Sequence, residues 1–175
     1  MRKVDVMPFS ERWSVDFDGE AAILQEIFDA EVIKIHHIGS TSIHGLSAKP
    51  IIDIMPVVKD ITQVDQYDGK MVAIGYEAKG ENGIVGRRYF QKGGDDRTHH
   101  VHIYENGSPE IDQHLAFRDF LRAHPEKAKA YGDLKEKLAQ QFPYDIELYI
   151  KGKEQLASEI EREAIVWYRE TTGKG

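Results

Sequence analysis

Asp53 stands inside Ile51-Ile-Asp-Ile-Met-Pro-Val-Val58, a run that is otherwise almost entirely apolar. A carboxylate among aliphatics is costly to bury unless it is paired, protonated or bound to a metal. It is therefore either a structural acid satisfied by neighbouring amides or a metal ligand. His100 and His102 alternate within residues 98–104, so in a strand they project from one face about 7 Å apart. Two neutral imidazoles at that spacing can share a metal or grip a phosphate. Upstream, Gly39-Ser-Thr-Ser42 sets a residue without a Cβ beside three hydroxyls at Ser40, Thr41 and Ser42. Backbone amides can approach a ligand closely there, and a phosphate is the natural guest. A polar surface turn fits the same residues. The loop is not a P-loop, because five residues separate Gly39 from Gly45 and Leu46 follows.

Cations could complete a phosphate site. Lys49 lies between the loop and Asp53, and Arg118 is embedded in Phe117-Arg-Asp-Phe120, where either Asp119 or a ligand would answer its charge. Arg87, Arg88, Lys135, Lys151 and Lys153 are further candidates.

The elements that must hold these residues follow from periodicity. Residues 1–18 read as an irregular arm anchored by Pro8, Phe9, Trp13 and Phe17, and Ile23, Leu24, Ile27 and Phe28 give a helix over 19–30. Strands are expected at 32–38 and 51–58, with Pro56 placing the end of the second at an edge or bend. Asp60 should cap a helix over 61–74. Asn82-Gly83 predicts a hairpin pairing 76–78 with 84–91, and a further strand covers 98–104. Ser108-Pro109-Glu110 opens a helical region: one helix to about His124, a second from Pro125, a third over 149–170, then a loose tail after Thr171. The expected fold is α+β, a mixed, largely antiparallel sheet of about five strands covered by helices, with a helical C-terminal third. One domain over 1–175 is expected, its sheet core at about 19–105 and its helical part at about 108–170.

Composition narrows the function. The formal net charge of −7 argues against an extended nucleic-acid surface, which needs an excess of Lys and Arg. Cysteine is absent, which removes disulfide and thiol chemistry and fits a cytoplasmic protein. No apolar run approaches the ~20 residues of a membrane helix, and the N-terminus does not look like a signal peptide.

The segments from Gly39 to Asp53, His100-Val-His102, Phe117-Arg-Asp-Phe-Leu-Arg-Ala-His-Pro125 and Tyr131-Gly-Asp-Leu-Lys135 resemble the successive signatures of the GrpB-like family of uncharacterised bacterial proteins. That family is similar to the nucleotidyltransferase superfamily typified by DNA polymerase beta, and also occurs fused to dephospho-CoA kinase. The resemblance implies a loop that holds a triphosphate and carboxylates that bind metal. Gly39 and Ser40 match the loop and Asp53 matches the first acid. Met55 stands where the second acid belongs, and His100 and His102 occupy the strand expected to supply the third.

Two functions are therefore expected to compete. In one, a nucleotide or another phosphorylated small molecule sits at residues 39–42, Asp53, His100 and His102 hold one divalent metal (Mg²⁺, Mn²⁺ or Zn²⁺), and Lys49 or Arg118 steadies developing charge. In the other, the protein is a non-catalytic nucleotide or phosphate sensor that has lost the two-metal site. A metallo-oxygenase-like barrel built on His-x-His fits poorly with so helical a C-terminal part.

Overall fold

The computed structural model describes residues 3–173. The chain divides into two compact units: one of residues 3–10, 39–50 and 112–173, the other of Glu11–Ile38 and Ile51–Ile111. The second is built on a sheet. Its five strands, β1 (Val32–Ile38), β2 (Ile52–Val58), β3 (Tyr76–Ala78), β4 (Arg87–Lys92) and β5 (His99–Glu105), lie in the order β1-β2-β5-β4-β3. The β2–β5 pair at its heart is parallel, and the pairs β1–β2, β4–β5 and β3–β4 are antiparallel. Two helices, α1 (Arg12–Phe28) and α2 (Asp68–Ala73), belong to the same unit. Ile54, Met55, Val58, Val101 and Ile103 are fully buried.

The structure corrects several expectations about where elements begin and end. α1 starts at Arg12, so Trp13 and Phe17 belong to a helix and not to an irregular arm. Residues 13, 17, 20, 24 and 28 step by three or four and share one face. The apolar repeat is interrupted at Glu20, which is buried all the same. Its carboxylate accepts from the Tyr76 hydroxyl at 3.0 Å and from the Lys92 ammonium at 2.7 Å.

The helix expected over 61–74 is a tight three-residue-per-turn segment, Ile61–Tyr67, followed by the short α2. Asp60 caps it as expected, accepting from the Thr62 amide at 3.0 Å. The hairpin connection is longer than Asn82-Gly83 alone. Gly80, Asn82, Gly83 and Gly86 all have positive φ, and the Glu81 carboxylate accepts from the Gly86 amide at 2.6 Å. This extended turn delays β4 to Arg87. Pro56 lies in an interior strand, opposite Ile35 of β1. The pairs with β5 pass from Ile54–Val101 to Val57–Tyr104, skipping Met55 and Pro56, where the missing amide hydrogen takes one donor out of the ladder.

The other unit is helical, with α4 (Pro125–Gln141), α5 (Ile146–Thr172) and most of α3 (Pro109–Ala123). Its core joins Ile43 and Leu46 of the loop segment to Ala116, Phe120 and Leu121 of α3, Ala128 and Tyr131 of α4, and Ile160, Ala164 and Tyr168 of α5. A second cluster gathers Val4, Leu138 and Tyr149. α4 and α5 approach so closely that a Cβ on Gly152 would meet Leu138 Cδ2 at 2.5 Å. α5 begins at Ile146, earlier than its apolar repeat suggests, because Asp145 caps it by accepting from the Leu148 amide at 3.1 Å. The helix runs through the start of the expected tail to Thr172, and residues 174–175 lie outside the described ones. No helix among the described residues is long and apolar enough to cross a membrane.

Candidate functional site

Pairing of β2 with β5 sets Asp53 directly opposite His100. Strand alternation then brings His102 to the same face. One oxygen, Asp53 Oδ1, lies 3.4 Å from His100 Nδ1 and 3.1 Å from His102 Nε2. Each of the three residues offers a ligand atom, and these atoms lie within 4.8 Å of one another. Tetrahedral coordination at about 2.0–2.1 Å would separate neighbouring donors by about 3.3–3.4 Å, so both oxygen–nitrogen spacings suit a shared ion. His100 Nε2 is buried without a hydrogen-bond partner among the described residues. A buried polar atom in that condition costs about 1–3 kcal/mol. The donor set, two imidazoles and a carboxylate, fits a transition metal better than magnesium, which prefers oxygen throughout.

Burial pushes the Asp53 carboxyl up, but hydrogen bonds from His100 and His102, and the charge on their rings, outweigh it and hold the group well below the usual carboxylate range. The acid is ionised and ready to ligate. Tyr89 on β4 faces His102 across the ladder, and its ring centre lies 5.8 Å from that of His100 and 5.3 Å from that of His102.

Arg87 is a residue whose part here was not evident from sequence. It is buried, donates to the carbonyls of Glu81 and Asn82 at 3.2 and 2.9 Å, and places Nη1 3.4 Å from His102 Nδ1. Guanidinium nitrogens only donate, so in the neutral ring Nδ1 is the acceptor and the proton sits on Nε2, aimed at Asp53. Metal binding through Nε2 would displace that proton and turn Nδ1 into a donor. Arg87 must then swing toward its two carbonyl partners.

Residues 39–42 belong to the helical unit. Gly39 sits at φ 70°, in the left-handed region that favours glycine, and Ser40–Ser42 form one tight turn. The Ser42 hydroxyl donates to the Gly39 carbonyl, and Arg122 Nε donates to the Ser42 carbonyl at 2.9 Å. Lys135 of α4 is buried and reaches back to Ser40 Oγ at 2.8 Å, with its ammonium 4.8 Å from the Tyr131 ring centre. Thr41 is buried in the same turn. Lys49 lies over the Tyr149 ring at 5.3 Å, and Arg118 is answered by Asp119 at 2.8 Å. Thus the structure gathers Asp53, His100 and His102 into one cluster in the sheet unit. Gly39, Ser40, Thr41 and Ser42 stand with Lys135 and Arg122 in the helical unit, where Lys49 and Arg118 have protein neighbours of their own.

The chain belongs to the GrpB family: the family model described as GrpB protein matches residues 3–163. UPF0157 protein YqkA of Bacillus subtilis is 54% identical over 166 residues, covering 95% of this chain but 48% of its own length. The chain therefore spans about half of that relative. The crystal structure of conserved protein GrpB from Enterococcus faecalis matches with a TM-score of 0.91 and 44% identity, over 94% of this chain and 99% of that one. The Cid1 poly(U) polymerase bound to MgATP aligns at a TM-score of 0.46 with 14% identity, over 75% of this chain and 45% of its own, a likeness too slight to bear on function.

Proposed function

We propose that this protein binds one divalent transition-metal ion at Asp53, His100 and His102, and a nucleotide or another phosphorylated small molecule at residues 39–42, as a nucleotidyltransferase-like protein. The convergence of three donor atoms within 4.8 Å carries the proposal. The ion would supply Lewis-acid polarisation of a phosphoryl oxygen. Asp53 contributes the negative charge that retains the ion, and the imidazoles select it over magnesium. At the loop, Lys135 can exchange its Ser40 contact for a phosphate oxygen, and we assign Lys49 and Arg118 to stabilising further charge.

A second reading is favoured by Met55, which is completely buried on the strand that carries Asp53. A methionine there gives no second acid for a two-metal reaction, and the protein would then sense its ligand without turning it over. Calorimetry with Zn²⁺, Mn²⁺ and Mg²⁺, followed by a nucleotide panel, tests the proposal. One ion should bind per chain, tighten nucleotide binding, and be lost in Asp53→Asn. Absence of ion binding, or equal heats from Asp53→Asn, would sink it. Nucleotidyl transfer or hydrolysis by the loaded protein would exclude the sensor reading.

A further inference from the structure

The helical unit contains a cavity of about 630 Å³, lined by residues of α3 and α5 and by Gly39. This volume lies within the range of about 300–1,000 Å³ typical of small-molecule sites. On α5, Ser158, Arg162, Ile165 and Arg169 line it; they step by four, three and four residues and so form one stripe. Neither arginine has an ion-pair or hydrogen-bond partner among the described residues, whereas neighbouring Glu163 on the same helix pairs with Lys127 at 2.9 Å. Glu161 also lines the cleft. It leaves one acid against two permanent cations. Phe117 of α3 supplies an aromatic wall, and Gln113 beside it offers both a donor and an acceptor.

From this arrangement we infer that the α3–α5 cleft is a nucleoside-phosphate site: Arg162 and Arg169 hold phosphate oxygens beyond those taken at the hydroxyl turn, which the cavity reaches at Gly39, and Phe117 lies against the base. The inference rests on the reading that the protein takes a phosphorylated ligand, and adds where its body sits and why it has a ring. Arginine's planar fork binds phosphate oxygens two at a time, and two forks on one stripe select a ligand with more than one negative charge. Gly39, with no Cβ, lets backbone form part of the wall next to the hydroxyl turn. Gln113, Ser158 and Glu161 remain for the base edge and the sugar hydroxyls. In the sequence, exposed arginines on a long helix carry no signal beyond that of a solvated face.

ADP binding, followed by calorimetry at fixed ionic strength, tests the site with the double variant R162Q/R169Q, the cavity-filling variant S158W and the exposed-charge control K137Q. Wild type and K137Q should bind ADP alike, with R162Q/R169Q and S158W each weakened at least tenfold. Citrate at equal concentration should not displace ADP. Unchanged ADP affinity in both cleft variants overturns this site while leaving the phosphorylated-ligand reading intact. Displacement by citrate makes it a general anion cleft and overturns the nucleoside assignment. Failure of the wild-type protein to bind ADP or any other nucleotide overturns both.

Discussion

The acid–imidazole cluster of the sheet unit and the hydroxyl turn of the helical unit are both polar, yet they stand in opposite states of satisfaction. In the turn, polar groups answer one another: Ser42 donates to Gly39, Arg122 donates to Ser42, and Lys135 donates to Ser40. In the sheet, two imidazoles crowd one carboxylate oxygen, and His100 Nε2 is buried with nothing to bond among the described residues. A satisfied network stabilises a conformation, whereas the sheet cluster keeps a nitrogen that a turn of the His100 ring or a new partner would have to satisfy. A phosphate at the turn must compete with existing hydrogen bonds. An ion at Asp53 competes with the imidazole protons that His100 and His102 turn toward that carboxylate.

The largest effect that separates the two regions is expected from Asp53→Asn. It should weaken Zn²⁺ binding at least about a hundredfold, measured by competition with a chromogenic chelator, while Lys135→Met leaves Zn²⁺ affinity unchanged; equal losses in both variants would erase the distinction. Next comes packing of the helical unit. Gly152→Val should cost about 1–3 kcal/mol in urea unfolding, because its side chain drives into Leu138, and it should leave the metal site intact.

Arg87→Met is expected to tighten Zn²⁺ binding up to about tenfold, since it removes the donor that opposes a proton on His102 Nδ1. Weaker binding would mean that Arg87 supports the ligand geometry.

The smallest effects concern pH. Asp53 lies below its ordinary 3.8, so its contribution to stability is whole above that value and is lost as pH falls through the lower folded value. Burial likewise lowers His99 from 6.5, against the pull of Glu20. Its contribution is present above 6.5 and declines as pH falls below it. Hydrogen exchange should therefore show the sheet unit loosening on acidification in two stages, and Asp53→Asn should remove only the lower one.

The donor residues were legible in the sequence because each broke a local pattern. Asp53 interrupts an apolar strand, and His100 and His102 share the period of two that places them on one face. Their partnership was expected from the family resemblance and not from periodicity, since it depends on β2 lying parallel to β5 with Asp53 opposite His100. No local signal fixes a pairing across that stretch of chain. The same limit left Lys135 as one cation candidate among several, because its reach from α4 to Ser40 has no local signal. The start of α1 was missed for another reason: Glu20 occupies a buried position in an apolar repeat and is tolerated only because Tyr76 and Lys92 meet it from distant strands. Pro56 argued for an edge, but an interior strand can spare one donor where pairing with its neighbour already has a gap.

Imidazole nitrogen NMR during a Zn²⁺ titration reads the proposed ligand atoms themselves. The ring nitrogens of His100 and His102 should shift together and saturate at one ion per chain, while those of His99, which faces Glu20, should not follow. Saturation without movement of His100 and His102, or a response spread evenly over the histidines, would contradict that assignment.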